Sequence, residues 1–483
     1  HDTRFLYHMS GSADIAMIGL GVMGRNLARN MADHGRCVAV FDRAPGLAAQ
    51  MAGEPQIVPT GTPGELLAAL KRPRAIMMMV PAGAPVDEQL EALLPQLEAG
   101  DALIDGGNSH FRDTIRRTDR AASRGVDFVG LGISGGESGA RHGPSIMAGG
   151  PKAAWGRLGG LFTDIAARHN GEACCAWFGG GGSGHFVKTM HNGIEYADMQ
   201  VIAEIYGVLR DGLGQAASDA ARQFAGWQNG PLASYLVEIT AAILAAQEPD
   251  GRPMVETILD RAAQKGTGQW ASVASLEIGI AAPTLAEAVS ARLVSAAKAE
   301  RERTASALGA AARHHPGDKA ALLADLADAF LGARIAIYAQ GFAVIAAARD
   351  TFGWKELALA DVARVWQGGC IIRARLLDDL RAGYAAAPAE ANLLLLPAVA
   401  KALARVEPGW RRVVAAAVSQ GWPVPGLGSA LAWYDGMRTA RSAANLIQAQ
   451  RDFFGAHTVE RVDAPGKNVH LQWPQSGENG AGG

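Results

Sequence analysis

The chain has 483 residues, of which 49% are hydrophobic and 19% charged, and its formal net charge is -2. This length predicts more than one domain, and this composition is typical of a globular chain and excludes an intrinsically disordered one. The small net charge gives no electrostatic reason to expect a nucleic acid or an anionic membrane as a partner.

Neither a signal peptide nor a membrane-spanning segment is predicted. Residues 1–8 precede Met9, a candidate start, and are left out of the fold prediction. The most apolar region, residues 320–348, is interrupted by charged side chains and predicts a long buried helix. The four cysteines lack metal-ligand spacing, so we expect reduced thiols, no metal site and a cytoplasmic protein.

A dinucleotide-binding unit is predicted near the N-terminus. Residues 15–18 are a strand candidate that runs into a G-x-G-x-x-G turn, an amphipathic helix follows, and residues 38–41 are a second strand candidate. Glycines in this order allow a tight turn and a close backbone approach to a pyrophosphate at the helix N-terminus, and the strand–turn–helix context makes the signal specific. The predicted cofactor-binding residues of the turn are Gly19, Leu20, Gly21, Val22, Met23 and Gly24.

The residues after the second strand bear on which dinucleotide binds. Asp42 can accept hydrogen bonds from the adenosine ribose diol and repels a 2′-phosphate, which favours NAD. Arg43 can instead bind that phosphate and stack on adenine, which favours NADP. The two signals conflict, so both cofactors stay open.

Strand candidates continue at residues 75–80, 102–104 and 127–131, alternating with helical segments. This alternation predicts a doubly wound, mainly parallel sheet, in which ligands bind beyond the carboxyl ends of the strands. Glycine-rich segments at residues 105–109 and 132–137 follow the last two strands, and we expect them at that edge. Either segment taken alone is also explained by simple turn chemistry.

A glycine run at residues 179–184 marks the clearest boundary in the chain. Beyond it the composition shifts toward Ala, Leu and Glu, so residues 185–440 are predicted to be mostly helical. The predicted fold is an α/β N-terminal domain with a Rossmann-type doubly wound parallel sheet (9–183), a large all-α domain (184–440) and a C-terminal tail (441–483).

A polar stripe occupies the first helical segment after this boundary. Lys188 is followed by His191, Asn192 and Glu195 three, four and seven residues later, so all four side chains share one helix face. A core-facing helix would place apolar residues there. From the pattern alone, a solvated helix face and the lining of a polar pocket are equally good interpretations.

Several unusual motifs follow one another along the chain. They are DGGNS (105–109), ISGGE (133–137), GPSIM (143–147), GHFVKTMHNGIEY (184–196), QKGTG (264–268) and the segment 443–457. Together with the glycine turn, they closely resemble the 6-phosphogluconate dehydrogenase family over nearly the whole chain. The resemblance implies oxidative decarboxylation of 6-phosphogluconate to ribulose 5-phosphate and CO2, with hydride transfer to NADP or NAD, in the pentose phosphate pathway.

The resemblance also implies roles for individual residues. Lys188 looks like the general base and Glu195 like the general acid. The implied substrate contacts are Asn108, Ser134, Gly135, Gly136, His191, Asn192, Tyr196, Lys265, Arg292, Arg451 and His457. The implied cofactor contacts beyond the glycine turn are Asp42, Arg43, Ala44, Val80 and Asn108. The family is homodimeric through its helical domain, and Arg451 and His457 lie on the tail that one subunit inserts into its partner's site.

The chain departs from the family pattern at three places. Asp42 stands where the family usually has Asn, which puts strict NADP preference in doubt. Pro81 replaces a common Lys after the third strand, and Gln269 replaces a common Lys in the loop after Lys265.

The implied chemistry sets requirements for the two catalytic groups. Lys188 must be uncharged to take the hydroxyl proton, so its pKa must fall from about 10.4 toward neutrality. Glu195 must keep a proton for the enediol, so its pKa must rise. Two alternatives stay open: a β-hydroxyacid dehydrogenase that does not decarboxylate, and a dinucleotide-binding scaffold without turnover. Taken alone, Lys265 is better explained as a solvated loop cation, and Arg292 equally well as part of a salt bridge.

Overall fold

The structure, a computed structural model, describes residues 12–309 and 314–473. The chain divides into two compact units, the first ending at Leu431 and the second beginning at Ala432. The outer ends of the predicted first domain and tail, residues 9–11 and 474–483, lie outside the described residues, as do residues 1–8.

The first part of the chain supplies a twisted sheet. Its strands are β1 (Ile15–Ile18), β2 (Val38–Phe41), β3 (Ile57–Pro59), β4 (Ala75–Met78), β5 (Ala102–Asp105), β6 (Asp127–Ser134), β7 (Ser145–Gly149), β8 (Arg168–His169), β9 (Glu172–Ala173) and β10 (Cys175–Trp177). Strands β8 and β9 form a separate small pair, and the others form one sheet in the order β10-β7-β6-β5-β4-β1-β2-β3.

Most of this sheet is parallel. Strands β3, β2, β1, β4, β5 and β6 run in one direction, whereas β7 is antiparallel to β6. The strand order reverses between β1 and β4, which is where a doubly wound sheet opens a ligand crevice. The predicted Rossmann-type fold is therefore confirmed.

Three strands differ in length from their predictions, and β3, β7 and β10 were not predicted. Strand β5 extends one residue beyond its prediction, to Asp105. Strand β6 continues past Leu131 to Ser134, because residues 130–134 pair with β7 in an antiparallel ladder. Strand β4 ends at Met78 rather than Val80, because its partner β5 ends opposite it at Asp105. Of the polar residues predicted near the strand ends, Asp105 and Ser134 are therefore the last residues of β5 and β6, and the others follow them.

Helices cover both faces of the sheet. They are α1 (Val22–Asp33), α2 (Pro63–Ala69), α3 (Ala84–Leu93), α4 (Phe111–Ala122), α5 (Gly136–His142) and α6 (Lys152–Ile165). Alternate residues of β1 point to opposite faces: Ile15 and Met17 join one buried apolar cluster with α1 and α6, and Ala16 and Ile18 join another with α2 and α3. Both faces are buried, which explains why these strands are continuously apolar.

The rest of the first unit is helical, as predicted. Its helices are α7 (Ser183–Gly207), α8 (Ala217–Trp227), α9 (Tyr235–Ala245), α10 (Thr267–Ile278), α11 (Pro283–Ala296), α12 (Lys298–Leu308), α13 (Lys319–Thr351), α14 (Leu359–Trp366), α15 (Leu376–Ala386), α16 (Pro397–Gln420) and the start of α17 (Pro425–Met437). The buried Arg334 on α13 donates to both carboxylate oxygens of Asp198 on α7, at 2.9 and 3.0 Å, and so links the two central helices.

Helix α13 corresponds to the long buried helix predicted over residues 320–348. Among the described residues it is the one helix long and apolar enough to cross a membrane by length and composition. Within the fold, however, 94% of its most apolar window is buried.

The second unit contains α18 (Ala444–Gly455) and a small hairpin of β11 (Val459–Arg461) and β12 (Ala464–Val469). The Asp452 carboxylate lies at its centre. It accepts hydrogen bonds from the Thr458 and Leu471 backbone amides at 2.8 and 3.0 Å, and from the Trp473 indole at 3.0 Å. The imidazole of His470 lies 2.9 Å from the same carboxylate.

Candidate active site

Helix α7 packs directly on the sheet through glycines. A Cβ at Gly132 of β6 would overlap the Lys188 Cβ and lie 3.0 Å from its Cγ. A Cβ at Gly184 of α7 would lie 2.6 Å from the Gly149 nitrogen at the end of β7. Only glycine tolerates such approaches, so these residues press the first turns of α7, and Lys188 with them, against the strand.

Lys188 is buried inside this contact, with 6% of the residue exposed. Its Nζ lies 2.8 Å from Asn192 Oδ1 and 3.3 Å from His191 Nδ1. Burial lowers the pKa of Lys188, and the carboxyl group of Glu195 only partly opposes this. The amine therefore gives up its proton more readily than a lysine in water.

His191 connects the amine to β6. Its Nε2 lies 3.2 Å from the Ser134 hydroxyl, and its ring meets Trp366 edge-on at 5.8 Å between centroids. Its Nδ1 lies 3.3 Å from the Lys188 amine and 3.2 Å from Asn192 Oδ1, so the ring tautomer sets whether Nδ1 accepts from the amine or donates to the amide oxygen. Burial, followed by the charge of Lys188, holds the pKa of His191 well below its usual value, so the ring is neutral.

Glu195 continues the same stripe one turn further along α7. Its Oε2 lies 3.7 Å from His191 Nδ1, and 22% of its side chain is exposed. Burial raises the pKa of Glu195, while the charges of Lys188 and Arg292 oppose the rise. Burial thus lowers the pKa of the predicted base and raises the pKa of the predicted acid, and each shift favours the uncharged form.

One cation lies against Tyr196, the residue that follows Glu195. The Arg292 guanidinium lies over the Tyr196 ring at 3.6 Å from the centroid and donates to the Ala263 carbonyl at 3.1 Å. The backbone nitrogen of Lys265 donates to the Tyr196 hydroxyl at 3.4 Å, and the Lys265 side chain is exposed. Within the described residues no carboxylate pairs with Arg292, so the salt-bridge interpretation finds no partner there.

Ser134, Gly135 and Gly136 form the turn from β6 into α5. Gly135 has a φ of 123°, and a Cβ on it would lie 2.5 Å from the Gly369 carbonyl oxygen. Gly136 has a φ of 60°, and the position its Cβ would take is open. Both conformations favour glycine, so the turn keeps backbone, rather than side chains, next to the Ser134 hydroxyl.

The glycine turn before α1 has the shape that a pyrophosphate requires. Gly19 has a φ of 93°, and a Cβ on Gly24 would overlap the Gly19 carbonyl. A Cβ on Gly21 would have no atom within 4 Å, and Val22 at the start of the helix is 57% exposed. Two glycines therefore serve the tight turn and one leaves open space at the helix N-terminus, which fits a dinucleotide.

The adenosine side is defined by Asp42 at the end of β2. Its two oxygens accept from the Leu20 and Ala44 backbone nitrogens at 2.7 and 2.8 Å. Arg43 and Ala44 are exposed. Met23 is half-buried against the sheet core. The carboxylate is therefore fixed beside the glycine turn, and an exposed guanidinium follows it.

Val80 and Asn108 lie in the loops after β4 and β5. Val80 is half-buried, and Asn108 is the exposed residue of its loop. A Cβ at Gly107 would lie 3.0 Å from the Val80 carbonyl oxygen, so the two loops are in direct contact. Pro81 is exposed immediately after Val80.

Two predicted substrate residues belong to the second unit. Arg451 on α18 is exposed and donates to Gln448 at 3.0 Å. His457 is exposed, with its ring 5.9 Å from the Phe454 ring. In the first unit the structure brings together Lys188, Ser134, Gly135, Gly136, His191, Asn192, Glu195, Tyr196, Lys265 and Arg292, and the roles of all these residues stay predictions. Across residues 12–309 and 314–473, no three His, Cys, Asp or Glu side chains come together to hold a metal ion.

Comparisons with known proteins bear on this arrangement. The family profile of the NAD binding domain of 6-phosphogluconate dehydrogenase matches residues 14–179, and that of the 6-phosphogluconate dehydrogenase C-terminal domain matches residues 184–473. The chain belongs to the 6-phosphogluconate dehydrogenase family. The resemblance inferred from the motifs is thereby confirmed.

Individual members of the 6-phosphogluconate dehydrogenase family are similar over their full length. The decarboxylating 6-phosphogluconate dehydrogenase of Cunninghamella elegans is 46% identical over 473 residues, covering 97% of this chain and 97% of its own. That of Caenorhabditis elegans is also 46% identical over 473 residues, covering 96% of this chain and 97% of its own. Plasmodium falciparum 6-phosphogluconate dehydrogenase, solved in apo form and with NADP+ or 6-phosphogluconate, matches with a TM-score of 0.92 and 34% identity, covering 95% of this chain and 100% of its own.

The motifs missed one segment of this family member that reaches the site. The Gly369 carbonyl oxygen packs against Gly135, and the buried thiol of Cys370 is close enough to Lys188 to affect the amine's pKa. The only sequence signal was a glycine pair before a cysteine. Nothing in it pointed to Gly135, 234 positions before Gly369, or to Lys188, 182 positions before Cys370.

Proposed function

We propose that the chain catalyses the oxidative decarboxylation of 6-phospho-D-gluconate to D-ribulose 5-phosphate and CO2, with a nicotinamide dinucleotide as hydride acceptor. The observation that carries the proposal is the pair Lys188 and Glu195, whose pKa values burial shifts toward the uncharged forms on one face of one helix. Full-length similarity to enzymes named for this reaction supports the substrate.

The first step needs a base at the C3 hydroxyl of the substrate. Uncharged Lys188 takes the hydroxyl proton as C3 is oxidised to a ketone. A bound nicotinamide dinucleotide supplies the hydride acceptor. His191 and Asn192 hold the amine in place through contacts of 3.3 and 2.8 Å.

The second step is loss of CO2 from the β-keto acid. Charged Lys188 donates a hydrogen bond to the ketone oxygen and so stabilises the enediol that forms as the carboxylate leaves. Glu195, whose pKa burial raises, delivers a proton to the carbon that becomes C1 of the product. Arg292 and Lys265 supply the positive charge that a substrate phosphate needs.

For the cofactor we propose NADP, with measurable use of NAD. The Asp42 carboxylate has lone pairs left for a ribose diol after accepting its two backbone N–H groups, whereas Arg43 can face a 2′-phosphate. We expect Asp42→Asn to shift the ratio of catalytic efficiencies toward NADP by about tenfold or more. Two like charges 4 Å apart repel by about 4 kcal/mol at the effective dielectric constant near a protein surface, and tenfold needs about 1.4 kcal/mol. An unchanged ratio would refute the role of Asp42.

We also propose a homodimer in which each tail reaches the partner's site. Large apolar side chains are exposed on the helical domain, including Leu276 at 75%, Leu293 at 58% and Leu308 at 82%, and a partner subunit that covered them would remove this apolar surface from water. Arg451 and His457 are exposed on the second unit and so are free to contact a substrate. The four cysteines are free and buried, which supports a reducing compartment such as the cytoplasm.

Production of CO2 and reduced dinucleotide from 6-phosphogluconate tests the reaction. Equal amounts of the two products are expected, and reduced dinucleotide without CO2 would favour a dehydrogenase that does not decarboxylate. Tight dinucleotide binding without turnover would favour a silent scaffold.

Tail exchange is tested by mixing two inactive variants, Lys188→Met and Arg451→Ala, and allowing subunits to re-associate. A mixed dimer then contains one site with both Lys188 and Arg451 intact, so activity should reappear. No recovery, with mixed dimers shown to form, would refute tail exchange.

A further inference from the structure

Two fully buried charged side chains lie beneath the cofactor-facing edge of the sheet. Asp105 is the last residue of β5, Arg117 lies on α4, and both side chains are 0% exposed. Their nearest charged atoms are 3.6 Å apart. Neither residue is among the predicted site residues, and neither side chain is exposed to contact a substrate.

The Asp105 carboxylate fastens the loop that carries Asn108. One oxygen accepts the Gly107 backbone N–H at 3.0 Å, and the other accepts the Ser109 hydroxyl at 2.6 Å. Gly107 and Ser109 are buried, whereas Asn108 between them is exposed. The residues on both sides of Asn108 are therefore hydrogen-bonded to one carboxylate, which fixes the position of the exposed Asn108 side chain.

The Arg117 guanidinium fastens the neighbouring loop, which follows β4 and carries Val80. Its Nη2 donates to the Gly83 carbonyl at 3.0 Å, and its Nε and Nη2 donate to the two Asp87 oxygens at 2.9 and 3.1 Å. Gly83 ends the loop, and Asp87 lies in the first turn of α3. One guanidinium thus joins the loops after β4 and β5, whose backbones already touch at Val80 and Gly107.

The stability of the sheet alone does not explain such a pair. Removing two charges from water costs several kcal/mol for each ion, and apolar side chains of similar size often stabilise a core as well or better. Here each charge makes directional hydrogen bonds to loop backbone or loop side chains, which apolar residues cannot make.

We propose that Asp105 and Arg117 are positioning residues, which hold the loops of Asn108 and Val80 at one fixed spacing against the nicotinamide and the substrate. The inference rests on the proposed function. Loosening either loop misplaces Asn108 by a fraction of an ångström to an ångström, which lowers the rate of the chemical step while leaving the fold intact.

The same two strands offer a matched control at their opposite ends. Arg74 precedes β4 and Asp101 precedes β5, and their side chains are 11% and 3% exposed. The Asp101 carboxylate accepts the Arg74 backbone N–H at 2.6 Å and its guanidinium at 3.0 Å. This pair is also buried and also links β4 to β5, but it lies at the amino ends of the strands, away from the ligand edge.

The experiment compares Asp105→Asn and Ser109→Ala with Asp101→Asn in the full-length enzyme. Thermal unfolding, kcat, the KM for each substrate and the isotope effect with 6-phosphogluconate deuterated at C3 are measured. We expect Asp105→Asn to lower kcat at least tenfold, to raise the KM for the dinucleotide and to increase the isotope effect, because hydride transfer becomes more rate-limiting. Ser109→Ala should do the same more weakly, and Asp101→Asn should lower the melting temperature with unchanged kinetics.

Arg117→Lys and Arg117→Met provide a second series, in which lysine should restore part of the kcat lost with methionine. Kinetics of Asp105→Asn and Ser109→Ala that match those of Asp101→Asn would overturn the inference. If Asp105→Asn does not fold, the Ser109 and Arg117 variants decide by the same criteria.

An inactive wild-type protein would instead overturn the proposed function. In that case fluorescence titration with NADP decides, because weaker binding by Ser109→Ala than by Asp101→Asn supports the positioning role and equal binding refutes it.

Discussion

Substituting Gly132 by alanine tests whether the close contact between β6 and α7 makes the site. The added Cβ would overlap the Lys188 Cβ, and it would lie 3.0 Å from the Lys188 Cγ and 2.9 Å from the Gly184 carbonyl oxygen. Ordinary contacts between carbon atoms are roughly 3.5–4.0 Å. The helix and the strand must therefore separate by roughly 1 Å at Lys188, because the backbone on one side and the base of a side chain on the other cannot bend away.

The magnitude follows from that displacement. A misplacement of about 1 Å at a reacting group costs roughly 100-fold in rate. Overpacking a well-filled contact costs about 1–3 kcal/mol of stability. We therefore expect Gly132→Ala to fold, to melt at a lower temperature and to lose about two orders of magnitude in kcat for 6-phosphogluconate.

Two glycine variants separate the effect on the site from the effect on stability. A Cβ on Gly332 of α13 would lie 2.5 Å from the Trp410 ring, so Gly332→Ala overpacks a contact that includes no predicted site residue. Gly160 of α6 has open space at its Cβ position, so Gly160→Ala should be neutral or slightly stabilising. Steady-state kinetics and thermal unfolding of all three variants form the assay. A near-normal kcat in Gly132→Ala, or an equal loss in Gly332→Ala, would refute the reasoning.

Three further outcomes are expected. Lys188→Met should abolish turnover but retain dinucleotide binding in a fluorescence titration. Because burial lowers the pKa of Lys188, the unfolded wild-type chain binds more protons than the folded one between that lowered pKa and the ordinary value of 10.5. The stability of the wild-type protein against urea should therefore rise with pH across this window, and the variant should lack the rise. Burial raises the pKa of Glu195, so wild-type kcat should fall as pH rises through that pKa, and Glu195→Gln should be roughly 100-fold slower without this fall in a pH–rate profile. Asp452→Asn should speed amide hydrogen exchange at Thr458 and Leu471 while exchange in β1 stays slow, since the Asp452 carboxylate accepts both N–H groups. Exchange rates at Thr458 and Leu471 that equal those of the wild-type protein would contradict this role.

Local patterns predicted five of the eight strands that form the sheet in the described part of the chain, because the determinants of those five are local, and missed β3, β7 and β10. Apolar runs such as Ile15–Ile18 and Val38–Phe41 end where polar or glycine residues begin, and the structure places both strands at those bounds. The extension of β6 to Ser134 was missed because it depends on pairing with β7, and β7 lies in a separate segment whose direction the sequence does not state. A strand's length is set by its neighbours as much as by its own residues.

The polar stripe shows what the sequence could and could not predict about the site. Periodicity placed Lys188 and Glu195 on one helix face, but it could not distinguish a solvated face from a buried one. Burial was decided by Gly132, a residue more than fifty positions earlier in the chain, because the missing side chain lets α7 lie against the strand. The Gly369–Cys370 segment was missed for the same reason, since its approach to Gly135 depends on how distant elements pack.

The distance between the base and the acid is itself part of the chemistry. Lys188 Nζ and Glu195 Oε2 contact the same His191 nitrogen at 3.3 and 3.7 Å and so lie at most about 7 Å apart. Two opposite charges at about 7 Å attract by about 2.4 kcal/mol at an effective dielectric constant of 20, against about 4 kcal/mol at 4 Å. In direct contact they would form an ion pair, and each would stabilise the charged form of the other. Within the described residues no ion pair joins them, because His191 and Asn192 occupy the turn between. Burial therefore outweighs their attraction, and the pKa values of the amine and of the carboxyl group both shift toward the uncharged form that the proposed chemistry needs.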